Sequence, residues 1–326
     1  MPNTEFHEYE DNPQARAELL DFLQHTGELP AGQGTWVKRL AHWWDENPFA
    51  TWHPYRGRIL RVDGRVIGFG GTIPAGYALA GQQVPVLLAS TLRVDPAFPK
   101  AGLPMLLKMR KLSAEVPIFH TTPIPKLQHA LEKMEAVCEK LVRRRFYPMG
   151  NFARLLGARK QWPTLDAAMT LITRVDEARA VLRPWRSVDR LEKWTSIESL
   201  NWYLTTPTRQ QRFLGAVDAQ GVLHSFLILS PRSIRGIQAW DIVESFTTRD
   251  TAEEIHALAG ALIRDPSLLP GSGPLLTVAA FPSDLTWDKT PSLMAREQQV
   301  CHYFMMPNHL RGSPKLTMMA EGDLVL

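Results

Sequence analysis

Residues 84–94 form one largely apolar run that halts at Asp95-Pro96 and gives way to helical spacing over residues 103–115. An apolar, β-branched run bounded in this way reads as a buried strand, and the residue before a proline is pushed out of the helical region, so the chain turns there. Strand, short loop and helix in direct succession restrict this part of the chain to a mixed α/β layering. A further short strand is expected at residues 118–122. A hairpin precedes them, with residues 58–62 and 65–71 as its arms and Asp63-Gly64 as its turn, followed by a Gly- and Ala-rich connection.

Two helices open the chain. Asn12-Pro13 starts the first, with Leu19, Leu20, Phe22 and Leu23 as its apolar stripe. Thr35 caps the second, where Trp36, Leu40 and Trp43 share a face before Pro48. On this reading both helices precede any strand. Beyond residue 122, Pro123-Ile124-Pro125 opens a helix running to about residue 144 with Cys138 inside it, and residues 152–156 form a last strand.

A chain of 326 residues exceeds what one core organises, so two domains are expected. Residues 159–190 change character, with Pro163, Pro184 and a helical stretch at 176–182, and read as a linker between domains at 1–158 and 191–326. The second domain repeats the order of the first. It comprises a helix at 191–203, a hairpin at 212–218 and 221–229, a strand at 237–246, a helix at 251–264, a strand at 275–281, a helix at 291–299, and strands at 300–306 and 316–320. The fold class is thus α/β, with two tandem domains of mixed sheet flanked by helices.

A net charge of +4 with dispersed cations implies no nucleic-acid partner. Cys138 and Cys301 match no metal-ligand spacing, and no metal site is expected. The amino terminus lacks an apolar core and no stretch is long enough to span a bilayer, so a cytoplasmic protein is expected, as monomer or homodimer.

The stretch from Leu92 to Leu107 places a helix start directly after a strand, and such a start offers unpaired amides to an anion. Within it, Val94-Asp95-Pro96, Phe98, Gly102 and Leu106-Leu107 resemble the hallmark of the GNAT acyltransferase superfamily. That hallmark is Val-x-Pro, an aromatic, then Gln/Arg-x-x-Gly-x-Gly/Ala opening a Leu-rich helix. Pro99 stands at the basic position and Pro104 at the final small one. The resemblance covers most of residues 10–157 and, more loosely, 190–326.

It implies two neighbouring parallel strands, at residues 84–94 and 117–122, that splay to admit the thioester arm of acetyl-CoA or another acyl-CoA. Direct transfer to a small-molecule amine acceptor, held in a cleft between the two domains, follows. Leu92, Val94, Phe98, Lys100, Ala101, Gly102 and Leu103 are the expected donor-binding residues, with a bulge near Leu92 or Val94 presenting amides to the thioester carbonyl. His120 is the candidate base, since an imidazole titrates near neutral pH. Met134 falls where relatives often carry a Tyr acid, so that role is either unfilled or taken by Tyr147. Trp44, Glu46, His53 and Tyr55 crowd a short span with aromatic and ionisable groups and form the candidate acceptor wall. The second domain lacks a pyrophosphate loop, and Glu253 and Glu254 in its corresponding helix repel phosphate. It reads as a degenerate copy, with Asp241, Glu244, Glu321 and Asp323 facing a cationic acceptor. The alternative reading is a catalytically silent tandem GNAT-like protein that binds a metabolite or protein.

Overall fold

The computed structural model describes residues 4–319 except 28, 30–34, 122, 250, 272, 289 and 291. A strand comes before the helices: β1 (Thr4–Glu8) lies antiparallel to β2 (Gly57–Val62), with Phe6 opposite Leu60. Between them, α1 (Pro13–His25) is capped by the Asn12 side chain, which accepts the Ala15 amide at 3.0 Å. Thr35 caps α2 (Trp36–Leu40), which widens into one π turn over Ala41–Asp45.

Strand β3 (Arg65–Leu79) follows β2 through Asp63-Gly64, whose φ angles of 49° and 80° are those of a tight hairpin turn. It runs through the Gly- and Ala-rich residues expected to be a connection. Their small side chains admit a neighbour: a Cβ on Gly76 would stand 2.2 Å from the Phe49 ring. A second such turn, at Ala80-Gly81, leads into β4 (Gln82–Val94). Then come α3 (Gly102–Leu112), β5 (Ile118–His120) and α4 (Pro125–Lys133).

The helix expected to reach residue 144 stops at Lys133. Glu135 takes a left-handed φ of 58° and the chain re-emerges as β6 (Val137–Pro148), carrying Cys138 on a strand. The expected strand at 152–156 is instead α5 (Gly150–Leu155). Residues 159–190 hold no helix at 176–182. They form β7 (Thr170–Ile172), β8 (Ala180–Val181) and short 3-10 turns, and bury Trp162, Ile172 and Val175.

Next are β9 (Glu192–Lys193), where a helix was expected, and α6 (Ile197–Leu204), started by a reciprocal Ser196–Ser199 capping box. Strands β10 (Arg212–Val217), β11 (Val222–Ile234) and β12 (Ile237–Thr247) follow, with the last two joined by Arg235-Gly236 in the same turn conformation as Ala80-Gly81. Helix α7 (Glu253–Arg264) and β13 (Leu275–Ala280) precede β14 (Met294–Met305), which occupies most of the expected helix at 291–299. No strand forms at 316–319; Lys315 makes a single bridge to Leu191.

One sheet runs through the whole molecule in the order β1-β2-β3-β4-β5-β14-β6-β13-β12-β11-β10-β7. Strand β14, from the end of the chain, pairs with β5, and β6, from the first half, pairs with β13. The two halves therefore exchange a strand each, and β6 and β14 lie against one another at the centre. The two segments replace the expected helices by forming a ladder with one another, from Met294–Phe146 to Phe304–Val137, and Val142, Phe146 and Tyr147 of β6 are buried in it.

One face of the sheet buries a core shared by both halves, with Leu19, Trp43, Phe69 and Phe119 alongside Trp202, Phe213 and Phe226. On the other face α3 and α4 cover Leu87, Ile118 and Tyr303, while α5 and α7 cover Tyr147, Ile242 and Leu276. Among the described residues no helix is long and apolar enough to cross a membrane.

Candidate active site

Strands β4 and β5 run parallel and pair at Leu87–Ile118, Leu88–Phe119 and Ala89–His120, where the pairing ends. Beyond that point β4 continues along β3 alone, with Leu92 opposite Gly70 and Val94 opposite Gly68. The chain leaves β5 through Thr121 and Pro123. The sheet is thereby opened into a wedge, holding a cavity of about 170 Å³. Ser90, Thr91 and Leu92 line it from β4, and His120 at the end of β5 with Thr121 just after it. Met109 and Leu127 reach it from α3 and α4, and Pro123 and Ile124 from the segment before α4.

A bulge lies at the opening. Gly70 faces Leu92 and Thr72 faces Ala89, so Ser90 and Thr91 together face Gly71. Bulges leave ladder groups unpaired and re-aim side chains. The expected bulge near Leu92 or Val94 thus sits slightly earlier in the strand, and the sequence reading missed Ser90, Thr91 and Thr121 as lining residues. Alternation past Ala89 gives no sign of the extra residue; the paired glycines Gly70-Gly71 on the facing strand are the one local hint.

His120 is 4% exposed, its Nε2 has no hydrogen-bond partner, and burial pushes its pKa down to about 4. It is neutral at physiological pH, a hydrogen-bonding group at the end of the strand pairing and not a charge.

At the far end of β4, the turn is built from nested hydrogen bonds. The Asp95 carboxylate accepts the Ala97 amide at 2.9 Å, Phe98 donates to the Asp95 carbonyl at 2.8 Å, and Ala101 donates to Phe98 at 2.9 Å. Phe98, Val94 and Ala101 pack on Leu60, Ile67 and Met105, which fixes where α3 begins. Gly102 is its first residue. A Cβ there would meet only Val94, at 3.7 Å, so packing does not demand the glycine and its bareness leaves the helix start open. Leu103 and Lys100 are exposed, and Pro104 takes one amide out of the set a helix start presents. Phe98, Pro99, Lys100, Ala101 and Pro104 border a shallow, largely apolar hollow. Arg93 ties this end of β4 to the chain after α1, donating to the Thr26 carbonyl at 3.0 Å and stacking over Trp36.

The aromatic span upstream divides. Trp44 is core: its indole N–H donates to the Thr72 carbonyl at 3.0 Å, and Tyr9 and Phe69 pack on its ring. Tyr55 is buried beside Leu87 and Met109, and burial raises its phenol to about 12. His53 is half-buried, its Nδ1 accepting the Tyr55 amide at 3.2 Å, and burial lowers its pKa. Glu46 is exposed and faces His42 Nδ1 at 3.4 Å. Trp44 is therefore not a surface for a ligand.

Tyr147 is a second correction. Its hydroxyl is 2.6 Å from Thr290 Oγ1, and its ring packs against Trp162 and Trp287. His120 lies opposite Tyr303 of β14, which lies opposite Cys138 of β6, and Tyr147 is at the other end of β6. At about 3.3 Å per strand residue the two are roughly 30 Å apart, too far to share a substrate's reacting atoms.

The second half repeats the opening and then fills it. Parallel pairing of β12 with β13 ends at Ile242–Val278, and a bulge at Val243 lies between Ile242 and Glu244. Into that space comes the chain before β9. Arg186 donates to Thr286 Oγ1 at 3.0 Å and to the Ser245 carbonyl at 3.5 Å. The Glu192 carboxylate accepts the Arg186 and Ser187 amides. Lys193 reaches Glu244 at 2.6 Å beneath the Tyr203 ring. About 10 Å³ of space remains. Glu244, with Lys193, and Asp241, with Arg144 at 2.6 Å, are thus committed inside the protein and do not face an acceptor. Glu321 and Asp323 lie outside the described residues.

The sequence matches no protein-family model and no curated protein. Solved structures do match in fold. A GCN5-related N-acetyltransferase from Anabaena variabilis ATCC 29413 superposes over 93% of this chain and 72% of its own, at TM-score 0.57 and 9% identity. A probable N-acyltransferase from Enterococcus faecalis V583 matches over the same shares at TM-score 0.57 and 11% identity. Eis1 from Mycobacterium abscessus matches 92% of this chain and 73% of its own, at TM-score 0.52 and 11% identity. The fold is that of the GCN5-related N-acetyltransferases, a mixed sheet flanked by helices.

Proposed function

We propose that this protein is an acyl-CoA-dependent N-acyltransferase whose donor enters between β4 and β5. The observation that carries this reading is the end of strand pairing at Ala89–His120, with a cavity directly beyond it. The GNAT-fold neighbours named as N-acetyltransferases and N-acyltransferases support it. In this reading the pantetheine arm takes the unpaired edge of β4 along Leu92 and Val94. The diphosphate meets the Gly102 and Leu103 amides at the start of α3, beside Lys100, Ala101 and Phe98.

The amine attacks the thioester carbonyl carbon directly. As the N–C bond forms, the nitrogen becomes strongly acidic, so the weakly basic neutral His120 suffices to take its proton. The thiolate of CoA is the leaving group. His53 and Glu46, on the chain leading to β2, form the proposed acceptor side. Residues 1–158 carry the donor site and 191–326 a copy that no longer binds a donor. Residues 159–190 join them and plug the second opening. A cytoplasmic location fits these assignments.

Isothermal titration with acetyl-CoA and with longer acyl-CoA species tests the reading, and heat-silent titrations with all of them remove it. A second reading, a silent GNAT-fold binding protein, is favoured by Pro99 and Pro104 at the donor turn. The two separate on Pro104→Gly: an enzyme responds with altered CoA affinity, whereas a protein that never meets CoA does not respond.

A further inference from the structure

Two polar atoms at the β4/β5 cavity, one from each strand, are buried without a partner. Ser90 Oγ and His120 Nε2 are both shielded from bulk water, both lack a hydrogen-bond partner, and both residues line this cavity. Proteins pair the large majority of buried side-chain polar atoms, and those left unpaired in the wall of a cavity are candidates to meet a ligand. Ser90 owes its place to the bulge, where it and Thr91 share Gly71 as their neighbour on β3. Gly71 also keeps room for the hydroxyl: a Cβ there would stand 3.0 Å from Ser90 Oγ and 2.7 Å from the Phe69 ring.

We propose that Ser90 is a catalytic residue, its hydroxyl donating a hydrogen bond to the carbonyl oxygen of the acyl donor's thioester. The proposal rests on the acyl-CoA reading and deepens it. The two unpartnered atoms divide the work by their chemistry. A thioester oxygen needs a donor, which a hydroxyl is and which can turn about one single bond to follow the substrate. An attacking amine needs a lone pair to receive its proton, which a neutral imidazole nitrogen has. As the N–C bond forms, the carbonyl π electrons move onto the oxygen held by Ser90. On collapse the C–S bond breaks, its electron pair leaves with sulfur, and the proton passes from nitrogen through His120 to the thiolate. A donor aimed at developing oxyanion charge in a water-poor site is among the strongest devices a protein has.

The test uses [1-¹³C]acetyl-CoA bound to the full chain, read by the carbonyl ¹³C shift, so no acceptor has to be known. A bound hydrogen bond moves that resonance downfield of free acetyl-CoA. Ser90→Ala is expected to abolish the displacement, Ser90→Thr to retain it, and affinity for CoA itself, which has no carbonyl at this position, to stay within about twofold. Acetyl-CoA cleavage, followed by thiol release, falls on the order of 10²-fold in Ser90→Ala and recovers in Ser90→Thr. A Ser90→Ala protein that binds acetyl-CoA with the wild-type carbonyl shift overturns the proposal and leaves the acyl-CoA reading standing. A wild-type chain that binds no acyl-CoA overturns both. Equal weakening of CoA and acetyl-CoA binding in Ser90→Ala, with the shift retained, marks the residue as structural and also overturns it.

Discussion

Arg144 reaches across β13 to place its guanidinium 2.6 Å from the Asp241 carboxylate on β12, with both side chains almost completely buried. Thr277 of β13 donates to the same carboxylate at 2.6 Å, and Arg232 approaches it from β11 at 3.3 Å. A strand of the first half is thus fastened inside the sheet of the second by a buried charge pair.

Removing one partner of such a pair leaves the other charge buried and uncompensated, which costs about 3–5 kcal/mol. Asp241→Ala is therefore expected to lower the urea midpoint strongly. The double replacement Arg144→Met with Asp241→Leu recovers part of the loss, because no buried Arg144 charge is left uncompensated while Thr277 and Arg232 still lose their shared acceptor. A single variant as stable as wild type contradicts this account.

Strand exchange predicts mutual dependence of the halves. A fragment of residues 1–190 lacks β14, so β5 and β6 both lose their shared neighbour and present open edges. Expressed alone it is expected to aggregate, and co-expression with residues 191–326 to restore soluble, cooperatively unfolding protein. Solubility and thermal unfolding of the separate fragments check this. A monodisperse, cooperative 1–190 fragment refutes it.

The filled second opening predicts one donor per chain. Arg186 and the Lys193–Glu244 pair occupy the space between β12 and β13 that would correspond to the first cavity. Titration with acetyl-CoA is expected to saturate at a stoichiometry of one, and two equivalent sites per chain would show the plug to be displaceable.

Buried His120 makes stability depend on pH. Its folded pKa of about 4 lies below the unfolded value of 6.5, so the unfolded chain binds the extra proton between those limits. Stability is full above about pH 6.5, declines as pH falls, and levels off below about pH 4, a loss on the order of 3 kcal/mol from this group. His42, His53 and His256 are also pushed down, chiefly by burial, and add to the same slope. Urea titrations of wild type and His120→Asn at pH 7.5 and pH 5 isolate its share. Equal pH slopes in the two proteins would show that His120 is protonated in the folded state.

Much of the backbone around the proposed donor side was legible in the chain. The long strand ending at Asp95-Pro96, the turn through Phe98 to Gly102, and the helix after it were all readable because each is set by neighbours in sequence. His120, which lines the cavity, could be singled out because it sits on a short apolar strand beside that stretch. Ser90 was not, since nothing in Ala89-Ser90-Thr91 announces a bulge that depends on how β3 lies alongside. Tyr147 and Trp44 were misjudged for the opposite reason. A tyrosine or tryptophan reads as amphipathic in sequence, and only packing decides that Thr290 and Thr72 take up their polar atoms.

The sequence by itself determined the local pieces: caps at Asn12 and Thr35, the Asp63-Gly64 turn, the alternation of strands with helices, and the repetition of that order. These follow from backbone preferences and short-range hydrogen bonds acting over a few residues. Tertiary structure alone decided that residues 137–148 and 294–305 are strands, that each serves the other half, and that Arg186 fills one opening while the other stays accessible. Those outcomes depend on partners far along the chain, Arg144 and Asp241 being 97 residues apart, and no local pattern encodes such pairings.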